Sequence, residues 1–189
     1  MENIKYAFVG CSSSNRITNL KSFCESAKKV GTILSNEGYG LVFGACNYGL
    51  MGEVYKIMKS NGSQIIGVAP SIYKDDFKAM TCDEEYIVDT TNERISLMFN
   101  KSDVLIFLAG GTGTLEELII AIELKRRKEI DKPLIIFDEF GFYAPLLQQI
   151  SVMDKGNFSN KAIELFDYVT SSKELIELLK SKKLVQLIK

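Results

Sequence analysis

Short apolar runs alternate with longer stretches of helical period along this chain. Tyr6 to Val9, Leu41 to Phe43, Gln64 to Val68, Val104 to Leu108 and Leu134 to Phe137 each read as a strand bounded by turn residues. Over Ile17 to Asn36, Leu20, Phe23, Ala27, Val30, Ile33 and Leu34 fall on one helical face. Leu50 to Ser60, Thr91 to Asn100, Thr114 to Arg127, Tyr143 to Val152 and Lys173 to Lys180 also read as helices, and Gly156 to Ser159 turns the chain towards a last strand, Leu165 to Val169. Strands that alternate with helices imply right-handed βαβ units. The strand runs are nearly continuous in apolar residues, as strands covered on both faces should be. The expected fold is therefore α/β, a doubly wound parallel sheet flanked by helices on both faces. At 189 residues, with no repeat or linker, residues 1–189 read as a single domain.

Three strand ends carry polar or glycine-rich loops: Gly10 to Asn15, Gly44 to Gly49, and Ala109 to Thr114. In an open α/β sheet, ligands bind beyond the carboxyl ends of the strands, where all three loops would meet. The third is the most informative, because an apolar strand runs straight into Gly110-Gly111-Thr112-Gly113-Thr114 and then into a helix. Glycines let the backbone approach a ligand closely, and the helix start offers N–H groups to an anion. The turn lacks the Lys-Ser/Thr pair with which a P-loop holds a polyphosphate, and Glu116 and Glu117 would repel one. A sugar monophosphate fits these charges better. A tight turn without a ligand is the plain alternative, but three glycines in four positions exceed what a turn requires.

Composition acts mainly by exclusion. Hydrophobic residues make 46%, charged residues 25%, and the formal net charge is -1, so nothing marks a nucleic-acid partner. Lys125 to Lys128 and Lys180 to Lys183 are local runs that read as solvated helix faces. No apolar run approaches the roughly 18 residues that span a bilayer, so no membrane partner is expected. The four cysteines show no CxxC spacing and Met1 to Lys5 is charged, which together point to the cytoplasm. Histidine is absent, which excludes His-based triads and imidazole zinc sites. Acid–base work falls to carboxylates or water, and no metal or cofactor is expected.

Four segments, in order, resemble the LOG-type proteins, often called lysine decarboxylase-like, which are cytokinin riboside 5'-monophosphate phosphoribohydrolases. Ala109 to Glu117 resembles the family's Pro-Gly-Gly-x-Gly-Thr-x-x-Glu loop, and Thr91-Asn92-Glu93-Arg94, followed by Met98 and Ser102-Asp103, resembles its arginine helix. Phe8 to Ser14 is similar to its serine-rich loop, and Phe43 to Gly52 to its second glycine loop. The resemblance implies a Rossmann-like homodimer that binds a nucleoside 5'-monophosphate and releases free base and ribose 5-phosphate. The substrate would be AMP or an N6-substituted, cytokinin-type AMP. It implies Arg94 and Glu117 as the catalytic pair and Gly110, Gly111, Gly113 and Thr114 as the phosphate turn, with Thr112, Ser12, Ser13 and Gly44 as further substrate contacts. A pyridoxal decarboxylase would need a Schiff-base lysine and partners for the cofactor ring, and no such constellation is legible.

Physical reasoning agrees with that pair. N-glycoside cleavage develops positive charge on the ribosyl centre, which a fixed carboxylate stabilises while positioning water. Arg94 would hold the carboxylate ionised and oriented. Glu116 and Glu117 project about 100° apart on a helix, so both are not expected to serve the site; the resemblance selects Glu117 and leaves Glu116 to the helix dipole. Ser12 to Asn15 either cap the first helix or touch the nucleotide, or both. Asn47 binds substrate or merely turns the chain. Cys11 and Cys46 read as small space fillers. Tyr48, Phe140, Phe142 and Tyr143 pack a base, the core or a dimer surface.

Three positions depart from the family pattern: Ala109 replaces its proline, Ile95 its lysine after the arginine, and Gly44-Ala45-Cys46 its three glycines. These changes remove rigidity, remove a charge and reshape the nucleotide site. Cleavage of a pyrimidine or modified nucleotide, and a binding module without turnover, therefore stand as alternatives.

Overall fold

The computed structural model describes residues 5–17, 19–73, 77 and 80–187, with side chains to residue 181. Its strands are β1 (Lys5–Gly10), β2 (Tyr39–Phe43), β3 (Ile65–Pro70), β4 (Glu84–Val88), β5 (Val104–Phe107), β6 (Leu134–Phe137) and β7 (Asp167–Val169). Its helices are α1 (Leu20–Asn36), α2 (Gly49–Ser60), α3 (Thr91–Asn100), α4 (Thr112–Arg126), α5 (Ala144–Lys155) and α6 (Ser172–Leu187). All seven strands are parallel, in the order β4-β3-β2-β1-β5-β6-β7. The expected doubly wound sheet is the fold observed.

Alternation along each strand builds two cores. Ala7, Val9, Leu41 and Phe43 face α1, α2 and α6, which contribute Val30, Leu34, Leu50, Val54, Leu175 and Leu179. Phe8, Val42, Leu105 and Phe107 face α3, α4 and α5, which contribute Met98, Phe99, Leu118, Ile122 and Ile150. Phe8 lies edge-on to Phe99 and Phe107 at ring separations of 5.3 and 5.5 Å, a favourable aromatic arrangement. No helix among the described residues is long and apolar enough to cross a membrane.

The structure adds one strand to those expected. β4 opens with Glu84 and Glu85 and is exposed at three of its five positions, so it has no long apolar run. It is an edge strand paired only to β3, where charged side chains discourage pairing with another chain. The first helix starts at Leu20, where the reading from periodicity began at Ile17, because Asn19 takes a left-handed conformation (φ 58°) just before it; residue 18 of that stretch lies outside the described residues. The last strand is Asp167–Val169, its expected first residues lying beyond a 3-10 turn, Ala162–Glu164. Residues 1–4 and the side chains at 182 and 183 also lie outside the described residues.

The order of strands places the site. From β1 the chain winds outward to β4, then returns to lay β5 on the other side of β1. The topological switch therefore falls between β1 and β5, and their carboxyl ends carry the serine loop and the glycine turn.

Candidate functional site

Hydrogen bonds lock the loops at the switch point together. The Leu108 N–H donates to Gly10 O at 2.9 Å and the Ser12 N–H to Ala109 O at 3.1 Å. Ser12 O in turn accepts from the Met51 N–H at 3.1 Å, and Asn15 Oδ1 accepts from the Gly49 N–H at 2.9 Å. The serine loop thus caps α2, not the helix that follows it in sequence. Ser12 Oγ accepts from the Ser14 N–H and Ser14 Oγ from the Arg16 N–H, so both hydroxyls shape the loop. Gly49 makes this junction possible: its φ is +59°, and a Cβ there would meet the backbone of Ser12, Ser13 and Ser14 at 2.7–2.8 Å.

The start of α4 is different, because no side chain caps it. Its glycines divide by purpose. A Cβ on Gly110 would lie 2.2 Å from Thr114 Oγ1, so that glycine is required by the protein's own packing. A Cβ on Gly111 or Gly113 would meet nothing within 4 Å, and neither has a positive φ. The chain itself needs no glycine at those two positions, and the room they leave lies open at the uncapped start of α4.

Arg94 projects from the first turn of α3 and is held by three elements. Nε donates to Val68 O at 3.2 Å, Nη2 to Gly44 O at 3.1 Å, and Nη1 approaches Glu117 Oε1 at 3.5 Å. A Cβ on Gly44 would sit 1.8 Å from Nη2, so the absence of a side chain at Gly44 makes the guanidinium's seat. Thr90 accepts from the Glu93 N–H through its hydroxyl and sets the start of α3. Arg94 and Glu117, 23 residues apart in sequence, are therefore brought together one helical turn after Thr114.

The two adjacent carboxylates separate as the helical rotation requires: Glu116 is exposed, whereas Glu117 is only 7% exposed. Burial pushes the Glu117 carboxyl up to about 7, against the pull of the Arg94 guanidinium and with a further push from Glu116. It therefore changes charge near neutral pH, as a group that exchanges protons with water or substrate should. The nearby Cys11 thiol is fully enclosed, and burial, Glu117 and Cys46 all push it up, so it stays protonated and acts as filler.

Beside Arg94 opens a cavity of about 520 Å³, large enough for a nucleoside. It is lined by Ser13, by the Gly44 to Tyr48 loop, and by Met51, Pro70, Tyr73 and Met80. Ala45 adopts φ 53°, a conformation that suits glycine better. Sequence reasoning overlooked Met51, Pro70, Tyr73 and Met80, which carry no polar signature. Of the aromatics considered for the base, Tyr48 lines the cavity, whereas Phe140 and Phe142 pack edge-on against Phe23 and Tyr143 is buried.

A protein family described as possible lysine decarboxylase matches residues 51–179. The cytokinin riboside 5'-monophosphate phosphoribohydrolase LOG1 of Arabidopsis thaliana is 31% identical over 172 residues, covering 90% of this chain and 79% of that protein. The cytokinin riboside 5'-monophosphate phosphoribohydrolase of Mycobacterium tuberculosis is 31% identical over 155 residues, covering 80% and 82%. Among solved structures, the molybdenum cofactor carrier protein of Chlamydomonas reinhardtii superposes with a TM-score of 0.69 at 19% identity, over 95% of this chain and 98% of that one. The molybdenum cofactor binding protein of Rippkaea orientalis gives 0.68 at 22% identity, over 96% and 98%. These two likenesses concern the fold alone. The match over residues 51–179 and the relatives that align with most of the chain agree: this protein belongs to the LOG-type, possible lysine decarboxylase family.

Proposed function

We propose that this protein is a nucleoside 5'-monophosphate phosphoribohydrolase that cleaves the N-glycosidic bond of AMP or an N6-substituted AMP, releasing free base and ribose 5-phosphate. The observation that carries this reading is the pairing of half-buried Arg94 with buried Glu117, one helical turn from an uncapped glycine turn and beside a nucleoside-sized cavity. The names of the relatives give the same reaction class.

In this reading the 5'-phosphate occupies the room at Gly111 and Gly113 and accepts from the N–H groups opening α4, with Thr112 and Thr114 beside it. Ser13 and Gly44 face the nucleoside, and Ser12 holds the loop that presents Ser13. The ribose lies against Glu117 and the base enters the cavity beyond Gly44. Ionised Glu117 stabilises the positive charge that grows on C1' as its bond to the base nitrogen breaks. Water adds to C1', giving up a proton, and the base nitrogen takes one as it leaves. Arg94, fixed by two carbonyls, lies beside Glu117 and lessens, without cancelling, the cost that burial puts on its charge. Removing one preorganised group that stabilises transition-state charge commonly costs about 2.7–4 kcal/mol.

We also infer a homodimer. α4 leaves Leu115 and Ile119, one turn apart, 38% and 39% exposed, and a second copy is the natural cover for them. Sedimentation should show a species of twice 21.2 kDa, and a monomer alone would refute it. For the reaction, the test is chromatography after incubation with AMP, GMP, CMP, UMP and N6-isopentenyl-AMP. Free base is expected from the adenine nucleotides. Base from a pyrimidine nucleotide alone would move the substrate, and binding without any base release would make the protein a nucleotide-binding module.

A further inference from the structure

The backbone that leads into the glycine turn is held on two sides. One side is the serine loop, through Gly10 O and the Ser12 N–H. The other is a single phenol: Tyr143 Oη donates to Leu108 O at 2.7 Å, and Tyr143 is 4% exposed. Tyr143 is itself fixed by Asp138, at the end of β6. Asp138 Oδ2 accepts from the Tyr143 N–H at 2.8 Å and from Tyr168 Oη at 3.1 Å. Asp138 Oδ1 accepts from the N–H groups of Phe140 and Phe142 at 3.3 and 2.9 Å. A buried carboxylate with four donors is rigid, and it passes that rigidity through one tyrosine to a carbonyl two residues before Gly110. Neither Asp138 nor Tyr143 lines the 520 Å³ cavity.

Residue 109 explains why such a brace matters here. A proline at that position would fix φ near −65°, whereas Ala109 leaves it free, and the next residue is a glycine. We propose that Asp138 and Tyr143 are positioning residues for the phosphate turn, supplying through the hydrogen bond to Leu108 O the rigidity that a proline ring would otherwise supply at position 109. This rests on the phosphate-binding role given to the turn above. Burial pushes the Tyr143 hydroxyl well above its ordinary range, so it remains a donor at every working pH.

Tyr143→Phe keeps the ring and removes only the donor. Losing one buried hydrogen bond of this kind is expected to raise the Kd of ribose 5-phosphate by about tenfold, read by calorimetry. KM for AMP should rise by the same factor, with kcat nearly unchanged, because the turn binds ground state and transition state alike. Ala109→Pro in the same chain should bring both constants back towards wild type. Asp138→Asn, which sets an amide NH2 against two of the four donors that now find a carboxylate oxygen, should move them the same way. A Tyr143→Phe protein with a lower Tm but wild-type Kd for ribose 5-phosphate would assign Tyr143 to stability alone and overturn the proposal. Wild-type protein that neither binds ribose 5-phosphate nor cleaves any monophosphate would instead overturn the function on which it rests.

Discussion

Replacing Glu117 with glutamine should make the protein more stable and inactive, and the gain in stability should depend on pH. Glu117 is 7% exposed, and its carboxyl stands at about 7 in the fold against 4.5 for a free glutamate side chain. Between those two values the folded chain keeps a proton that the unfolded chain has released. Ionisation therefore favours the unfolded state, and stability falls as pH rises from 4.5 to 7. Integrated over that window, the charged carboxylate costs about 3 kcal/mol at pH 8 and under about 1 kcal/mol at pH 5. Glutamine has the shape of the protonated acid and carries no charge, so it avoids this cost. For a chain of 189 residues the gain is roughly 6–12 °C in Tm at pH 8, shrinking to a few degrees at pH 5. Arg94 keeps its bonds to Val68 O and Gly44 O in the variant, so losing the loose 3.5 Å contact does not leave the guanidinium without acceptors. Thermal melts of both proteins at pH 5, 6, 7 and 8 test this. A difference in Tm that is the same at every pH, or a variant less stable at pH 8, would refute the idea that burial dominates over Arg94 at this carboxylate.

Other substitutions separate seats for groups of the protein from seats for a ligand. Gly44→Ala places a Cβ 1.8 Å from Arg94 Nη2 and should displace the guanidinium; kcat should fall by about a hundredfold while circular dichroism stays native. Gly110→Ala drives a Cβ into Thr114 and should lower stability by about 1–3 kcal/mol in urea unfolding. Gly113→Ala meets no protein atom and should leave stability unchanged or raise it by up to about 1 kcal/mol, yet raise KM for AMP by about tenfold or more; an unchanged KM would remove the phosphate from this turn. If Glu117 acts in its ionised form, kcat/KM should climb with pH through an ionisation of the free protein near 7 and level off above it, and a flat profile from pH 5.5 to 8.5 would contradict that role.

The inner strands were legible in the sequence because burial on both faces leaves an unbroken apolar run, as in Val104 to Leu108. β4 was not, because an edge strand that opens on two glutamates carries no such run. The glycine turn could be found from spacing, but its glycines could not be sorted, since only the fold shows Gly110 against Thr114 and open space at Gly111 and Gly113. Helical rotation indicated that Glu116 and Glu117 would not both serve the site, and the family resemblance chose Glu117. The meeting of Arg94 with Glu117 came from family resemblance, because a contact across 23 residues and two helices leaves no local periodicity. The brace at Tyr143 was invisible for the same reason: its partner is a main-chain carbonyl 35 residues away, and a carbonyl has no sequence signature.

The most direct test of the account is to incubate AMP with the wild-type, Arg94→Ala and Glu117→Ala proteins and to quantify adenine and ribose 5-phosphate together. The account predicts equal amounts of both products from the wild-type protein and almost none from either variant. Equal product release by all three proteins would contradict the assignment of Arg94 and Glu117. Adenine release without ribose 5-phosphate would contradict hydrolysis at the N-glycosidic bond.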